Sequence, residues 1–336
     1  MRELKGVVLA AAAMAVMPVI APAQVVYSDD FNSDTSANYN TYITAGSTGP
    51  SGDVTFGYNY GAAPASGGLA IPSAPHTTDG TTLGLRIRTD NLQSSVGTVV
   101  GAAEITTKGL SLTAPYQINV DVWSDYIGSG TSISSSGANG STGVAVGIGT
   151  SGTSIQYIAA NDGLLQEGFG DNGGGANQAY RVYTDATHPN PTTKGYWAAG
   201  TSSTSASYTD PYYSFLTSQT APAAQSAFSA TQGGSTPVGV LGFAWHTWVI
   251  TDDGVNVTWA IDGHTITTVP VADVTFGGSQ ISLGNDDTGL TGSSAANNQL
   301  FNAEIFDNLT VSEIPEPATM SLLGLGALAF LGRRRS

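Results

Sequence analysis

The carboxylates of the sequence do not form a recognisable hydrolase motif. Glycoside hydrolysis needs two carboxyl groups that face one cleft. Outside the two ends of the chain the glutamates are Glu104, Glu167 and Glu304, and none has a second glutamate nearby. We expect Glu104 and Glu304, in strand-like runs, at a solvent face or sheet edge. Asp286 and Asp287 are adjacent, but neighbouring side chains on an extended chain diverge, so we predict a turn. No catalytic residue is predicted.

The other residue types that support catalysis or metal binding show no functional spacing either. The four histidines lack the His-x-His or His-Glu-x-x-His spacing that binds zinc. No Gly-x-Ser-x-Gly elbow follows a strand, and no Gly-x-x-x-x-Gly-Lys motif occurs. The absence of cysteine excludes disulfides, thiol catalysis and Cys-ligated zinc.

Ca²⁺ is the one ion for which the sequence offers suitable ligands. Asp29 and Asp30 open the first predicted strand, and Asp307 lies in the last. If the first and last predicted strands lie side by side, these oxygens come together, and hard oxygen ligands suit Ca²⁺. We therefore predict a structural calcium site at these three residues. The alternative is that Asp29 and Asp30 cap a turn and Asp307 faces solvent.

A second candidate site is aromatic. Tyr196, Trp197, Tyr212 and Tyr213 cluster in a long irregular segment, residues 168–236. Sugar rings stack on aromatic faces, so these four residues are candidates for ligand binding. The alternative is that the same rings pin the segment onto a sheet in place of a regular core.

Composition narrows the class of protein. Of 336 residues, 43 are glycine and only 10% are charged, a mixture that suits strands and turns more than helices. The net charge of −15 repels phosphate backbones, so we expect no nucleic-acid partner. Such acidity favours solubility and cation binding.

The body of the chain predicts many short strands. From residue 25 to 311, apolar or period-two runs alternate with Gly, Ser, Asn and Asp clusters. Residues 245–266 read as three strands joined by turns at Asp253–Gly254 and Asp262–Gly263, where glycine permits positive φ. The predicted strands are 81–88, 116–123, 143–148, 154–159, 239–243, 247–251, 256–261, 265–270, 279–283 and 303–311.

The three-stranded unit, with the runs 281–284 and 304–311, resembles the concanavalin A-like lectin and glucanase superfamily in its laminin-G-like form. This resemblance implies an all-β fold, a two-sheet antiparallel jelly-roll sandwich over residues 24–312, with an irregular insertion at about 168–236. Glycosidases of the superfamily use a Glu-x-Asp-x-(x)-Glu strand, which is missing here. The resemblance therefore supports the fold more than any activity.

The N-terminus predicts a secretory signal over residues 1–23. Arg2 and Lys5 give a basic start, residues 6–20 are apolar or small, and Ala21-Pro22-Ala23 is a cleavage pattern. The alternative is a buried N-terminal helix.

The C-terminal residues 313–336 predict a second targeting segment. Pro315-Glu316-Pro317 precedes the apolar run 318–331 and the cluster Arg333, Arg334 and Arg335. This run is shorter than the ~20 residues that span a bilayer comfortably, so we predict a short transmembrane helix and transient inner-membrane contact, with the arginines cytoplasmic. The order of elements resembles the PEP-CTERM sorting tail of Gram-negative bacteria. This resemblance implies processing by an exosortase; a plain membrane anchor is the alternative.

Together these features predict an exported protein of the cell surface or extracellular matrix. Without residues 1–23 and the residues after Pro317, five basic and twenty-four acidic residues remain, a net charge of −19. We expect non-enzymatic glycan or exopolysaccharide binding or scaffolding. We expect no required cofactor, and a structural Ca²⁺ is the one candidate ion. One alternative is a glycan-cleaving enzyme on the same fold that uses Asp residues. Another is a structural matrix protein without a specific ligand.

Overall fold

The structure, a computed structural model, describes residues 23–44, 52–89, 101–126, 142–156, 162–170, 179–184, 208–229, 232–287 and 300–314. Apart from residues 23 and 24, they belong to one compact unit, Val25–Ile314. The predicted signal up to residue 22 and the tail from residue 315 lie outside the described residues. Within these ranges no helix has the length and apolar character needed to cross a membrane.

The described strands form two sheets. An eight-stranded sheet has the order β12-β11-β10-β6-β14-β4-β3, with β1 paired to β14, and a six-stranded sheet has the order β2-β5-β13-β7-β8-β9. The strand pairs with an assigned register are antiparallel. The strands are β1 Gln24–Asp29, β2 Tyr39–Ile43, β3 Gly52–Asn59, β4 Leu83–Thr89, β5 Gly101–Thr107, β6 Tyr116–Asp125, β7 Thr142–Thr150, β8 Leu164–Phe169, β9 Tyr180–Tyr183, β10 Trp245–Asp252, β11 Asn256–Ile261, β12 His264–Pro270, β13 Gln280–Asp287 and β14 Ala303–Glu313.

The main core lies between the two sheets. Burial alternates along β10 and β11, as the period-two pattern predicts, and places Trp248 and Trp259 inside at 0% exposure with ring centroids 4.7 Å apart. Val146 of β7 and Leu283 of β13 belong to the same cluster from the opposite sheet. Burying a large apolar side chain contributes about 2–3 kcal/mol, so this shared cluster holds the layers together. The predicted two-sheet all-β sandwich is confirmed.

The turn between β11 and β12 is the two-residue hairpin turn that its Asp-Gly sequence predicts. Asp262 and Gly263 have φ of 49° and 80°, the left-handed pair that a two-residue hairpin turn requires. The carboxylate of Asp262 accepts from the backbone N–H of Thr247 at 2.8 Å and contacts Nδ1 of His246 at 2.7 Å. The turn is therefore fastened to the neighbouring strand β10.

The outer face of the eight-stranded sheet carries a second apolar cluster. Trp123 of β6 and Ile305 of β14 pack there with residues from the segments 60–82 and 208–243. A short α-helix, Ala223–Phe228, lies in the second of these segments. Its Gln225 is fully buried and donates to the carbonyl of Leu69 at 2.9 Å and to the carboxyl group of Asp125. The two segments therefore cover this face, which the sequence did not predict.

Two predicted strands are wrong, and several strands were not predicted. Residues 239–243 form no strand: Gly239 and Phe243 lie in turns with φ of 95° and 63°, and Gly242 makes only an isolated bridge to Ser124. Of 154–159, the described part up to Gln156 is not a strand, because the chain leaves β7 through glycines of positive φ at 149 and 152. The unpredicted strands include β5 and β9, and β9 lies inside the segment expected to be irregular.

Candidate functional site

A bulge interrupts β14 where it passes β6. Asp307 pairs with Asp121, but the next assigned pair is Thr310 with Asn119, so β14 contains an extra residue. Asn308 adopts φ 53°, a left-handed conformation that asparagine tolerates better than most residues. Bulges redirect side chains, and Nδ2 of Asn308 donates to Asp121 at 3.0 Å.

A cavity of about 630 Å³ lies at this bulge. Its walls come from the start of the chain, from the segment 60–82, and from β6 and β14. As expected for terminal strands, β1 pairs with β14. The cavity is lined by Ser28, Asp29, Asp30, Thr35, Asn38, His76, Asn119, Val120, Asp121, Asn308, Leu309 and Thr310. Carboxylate, amide, hydroxyl and imidazole groups thus converge on one space.

Asp121 is the polar centre of the cavity wall. Its side chain is 0% exposed and accepts four hydrogen bonds. Oδ1 accepts from Nδ1 of His76 at 2.8 Å and from the hydroxyl of Thr247 at 2.9 Å, and Oδ2 accepts from the backbone N–H of His76 at 3.1 Å and from Asn308. A buried carboxylate with this many donors is well compensated for its lost water. Asp121 therefore fixes the imidazole of His76, whose side chain is 62% exposed.

Asp29 and Asp30 line the cavity and also cap the turn that follows them. Asp29 accepts from the backbone N–H of Phe31 at 2.8 Å and from the hydroxyl of Tyr39 at 2.9 Å. Asp30 accepts from the backbone and side chain of Asn32 at 3.1 and 3.0 Å. Each carboxylate oxygen has two lone pairs, so both groups can accept further bonds.

Asp307, the third predicted calcium ligand, does not line the cavity. Its carboxyl group accepts from the hydroxyl of Tyr60 at 2.9 Å and from the backbone N–H of Asn308 at 2.7 Å. Burial raises the pKa of Asp307 to about 7, and the carboxylate of Asp121 adds to the rise. The third predicted ligand therefore lies beside the cavity lining rather than in it.

The calcium prediction otherwise stays a prediction. In the described ranges, no three His, Asp or Glu side chains form a group that could hold a metal ion. Asp29 and Asp30 offer hard oxygen atoms of the kind that Ca²⁺ prefers.

The structure describes two of the four aromatic candidates. Tyr196 and Trp197 lie outside the described residues. Tyr213 is 0% exposed and stacks on Tyr180 with ring centroids 4.5 Å apart, so its ring has no face for a sugar. Tyr212 is half-buried and donates its hydroxyl to the carbonyl of Thr265 at 2.7 Å. At these two positions the rings pin their segment onto the sandwich.

The prediction of solvent-facing glutamates is wrong. Glu104 and Glu304 are 2% and 0% exposed, because both lie on interior strands of their sheets. Glu104 accepts from the backbone N–H of Gln156 at 2.9 Å, and Glu304 accepts from the hydroxyl of Ser124 at 2.9 Å. Glu167 is also 0% exposed and accepts from the hydroxyl of Tyr183 at 2.7 Å.

Sequence reasoning missed His76 and Asp121. Asp121 occupies a polar position in the alternating run of β6, a pattern typical of an ordinary solvent face. His76 lies in a segment without regular structure, forty-five positions away in sequence. No local spacing joins the two, so only the fold brings them together.

The C-terminal residues 313–335 match the model of the PEP-CTERM protein-sorting motif. The match covers Pro315-Glu316-Pro317 and the cluster Arg333 to Arg335, as predicted from sequence. This chain therefore carries a PEP-CTERM motif, which implies export, surface sorting and processing by an exosortase. A comparison with curated proteins gives no match.

Several solved structures are similar to the chain at low identity. A Bacillus subtilis protein of unknown function with a galectin-like fold is 8% identical, with 88% of this chain and 100% of that chain covered and a TM-score of 0.41. The family 16 glycoside hydrolase endo-glucanase of Bacteroides ovatus is 12% identical, covering 85% and 100%, at 0.38. The metal-free Emp46p carbohydrate recognition domain is 11% identical, covering 85% and 94%, at 0.41. With TM-scores below 0.5, these similarities carry no argument about ligands or activity.

Proposed function

We propose that this exported protein is a non-enzymatic component of the cell surface or extracellular matrix that binds a glycan in the cavity at the β14 bulge. The sorting motif supports the location. The cavity supports the binding role: its volume of about 630 Å³ lies within the range of small-ligand pockets, roughly 300–1,000 Å³. Amide and carboxylate groups are the usual partners of sugar hydroxyls.

The preorganisation of the cavity wall is the observation that carries the proposal. Asp29, Asp30 and Asp121 are each held by hydrogen bonds from neighbouring groups. Fixed polar groups bind a ligand at lower entropic cost than mobile ones. A purely structural matrix protein has no need for such an arrangement around an open space.

Binding is tested with the protein purified from its own cells and the exopolysaccharide of the same cells. We expect measurable binding by isothermal titration calorimetry, and an affinity at least tenfold lower for Asn119→Ala, which removes a half-buried amide from the cavity. Asn256→Ala is the matched control, since Asn256 begins β11, away from the cavity lining. Absence of binding by the parent protein would favour the structural alternative.

We also propose that Ca²⁺ binds the same cavity through Asp29 and Asp30. Repeating the titration after chelation and after adding Ca²⁺ tests this. A rise in melting temperature with Ca²⁺ that Asp30→Asn abolishes supports the ion. An unchanged melting temperature in the parent protein contradicts it.

Sorting is tested on the same preparation. We propose that an exosortase removes the tail near Pro315-Glu316-Pro317. Intact-mass analysis should then show a chain that lacks the arginine cluster. A mass that retains residues 333–335 supports the plain-anchor alternative instead.

A further inference from the structure

We propose that the cavity takes a neutral glycan and that Nε2 of His76 is one of the atoms that contact it, an inference that rests on the proposed function. The ligand class is a sugar chain without carboxylate groups. Three features carry the inference: the way Asp121 holds His76, the unfilled hydrogen-bonding capacity of the cavity wall, and the sign of its charge.

Asp121 sets which ring nitrogen of His76 is free to contact a ligand. Each oxygen of Asp121 accepts two hydrogen bonds. Nδ1 of His76 lies 2.8 Å from one of these oxygens and therefore donates to it. Nε2, the other ring nitrogen, has no hydrogen-bond partner within the part of the chain that the structure describes.

His76 is held in place without being covered. Its backbone N–H and its ring both bond to Asp121, so the ring cannot rotate away without breaking a charge-assisted hydrogen bond. Its side chain is nevertheless 62% exposed and lines the cavity. An exposed ring fixed by a buried carboxylate is arranged to contact a ligand, because its orientation is set before the ligand arrives.

A second side chain of the cavity also has unused capacity. The hydroxyl oxygen of Thr35 is buried and has no hydrogen-bond partner among the described residues. Thr35 precedes a short 3-10 helix, Ser36–Asn38, and its hydroxyl does not cap that helix. Leaving a buried hydroxyl unpaired costs about 1–3 kcal/mol. A bound sugar hydroxyl would remove this cost.

Without bound Ca²⁺, the charge of the wall selects against anionic sugars. Asp29, Asp30 and Asp121 all line the cavity, and His76 is the one basic side chain in the lining. The carboxylate of a uronic acid would meet like charges at short range, whereas neutral hydroxyls donate well to carboxylate acceptors. The cavity without Ca²⁺ is therefore suited to a neutral polyol.

The test uses the protein purified from its own cells and treated with a chelator, on an array of neutral hexose oligosaccharides and the matching uronic acid oligosaccharides. We expect the strongest signals from neutral members. The best array ligand is then titrated into the parent and into His76→Asn. Asparagine can still donate to Asp121 through its amide but lacks the Nε2 atom, so we expect at least tenfold weaker binding with an unchanged melting temperature. His264→Asn, an exposed histidine on β12, is the matched control.

A nitrogen NMR measurement on the parent protein keeps the test independent of any variant. The signal of His76 Nε2 should shift when the neutral oligosaccharide is added. Preference for uronic acids would overturn the ligand class. Equal affinity of His76→Asn together with an unshifted Nε2 signal would overturn the contact. If neither the array nor the cells' own exopolysaccharide binds, the proposed function itself fails.

Discussion

Replacing Asp307 by asparagine should weaken the dependence of stability on pH. The pKa of Asp307 is raised from 3.8 to about 7 because the carboxyl group is buried, at 1% exposure, beside Asp121. The unfolded chain therefore loses this proton at a lower pH than the folded protein. Stability falls by about 1.4 kcal/mol per pH unit between the two pKa values and is level above the folded one. Between about pH 4.5 and about pH 8 the group costs the parent protein about 3 kcal/mol.

The assay is urea denaturation of the parent and of Asp307→Asn at both pH values. Asparagine keeps one acceptor for the hydroxyl of Tyr60, and any hydrogen bond that it loses affects both pH values equally. The quantity to compare is therefore the change in unfolding free energy between the two pH values, which should be about 3 kcal/mol smaller in the variant. Asp34→Asn is the control: its pKa is lowered by hydrogen bonds from Ser36, so the carboxylate is ionised in both states over this range. An equal pH dependence in Asp307→Asn and the parent would refute the reasoning.

Three further substitutions test the packing and the turns, each by chemical denaturation. Trp259→Ala should cost about 3–5 kcal/mol, because it empties a site that is 0% exposed between the sheets; a loss below about 1 kcal/mol would contradict this burial. Gln225→Ala should cost about 2 kcal/mol, since it removes the donor to the carbonyl of Leu69 and to one oxygen of the Asp125 carboxyl, whose other oxygen still accepts from Gln232. Gly263→Ala should cost about 1 kcal/mol from its φ of 80° alone, because an added methyl group would meet no atom within 4 Å.

The sequence predicted the fold best where local chemistry and burial agree. In the meander β10 to β12, alternate residues are apolar and Asp-Gly turns fix the register, so the strand Asn256–Ile261 has the predicted bounds. The sequence-based prediction failed where a strand shows little alternation of apolar and polar residues. β5 begins Gly-Ala-Ala, and small residues do not reveal alternation even though the strand is interior to its sheet.

The candidate site was only partly predictable for a related reason. Asp29 and Asp30 could be found because adjacent carboxylates near a strand end are visible in one segment. Asp121 and His76 could not be found in this way, because they meet only where the segment 60–82 crosses the outer face of the sheet. Glu104 and Glu304 were misjudged because their burial also depends on the fold. Gln156 contacts Glu104, and Glu304 alternates with Ile305 of the outer face, so it points between the two sheets.

The position of β14 has a consequence for shortened chains. The strand lies between β6 and β4, in the middle of the larger sheet, yet it is the last described strand of the body and ends at Glu313, where the match to the sorting motif begins. A chain cut short before β14 therefore lacks the strand that joins the two halves of that sheet. The same cut also removes the sorting motif.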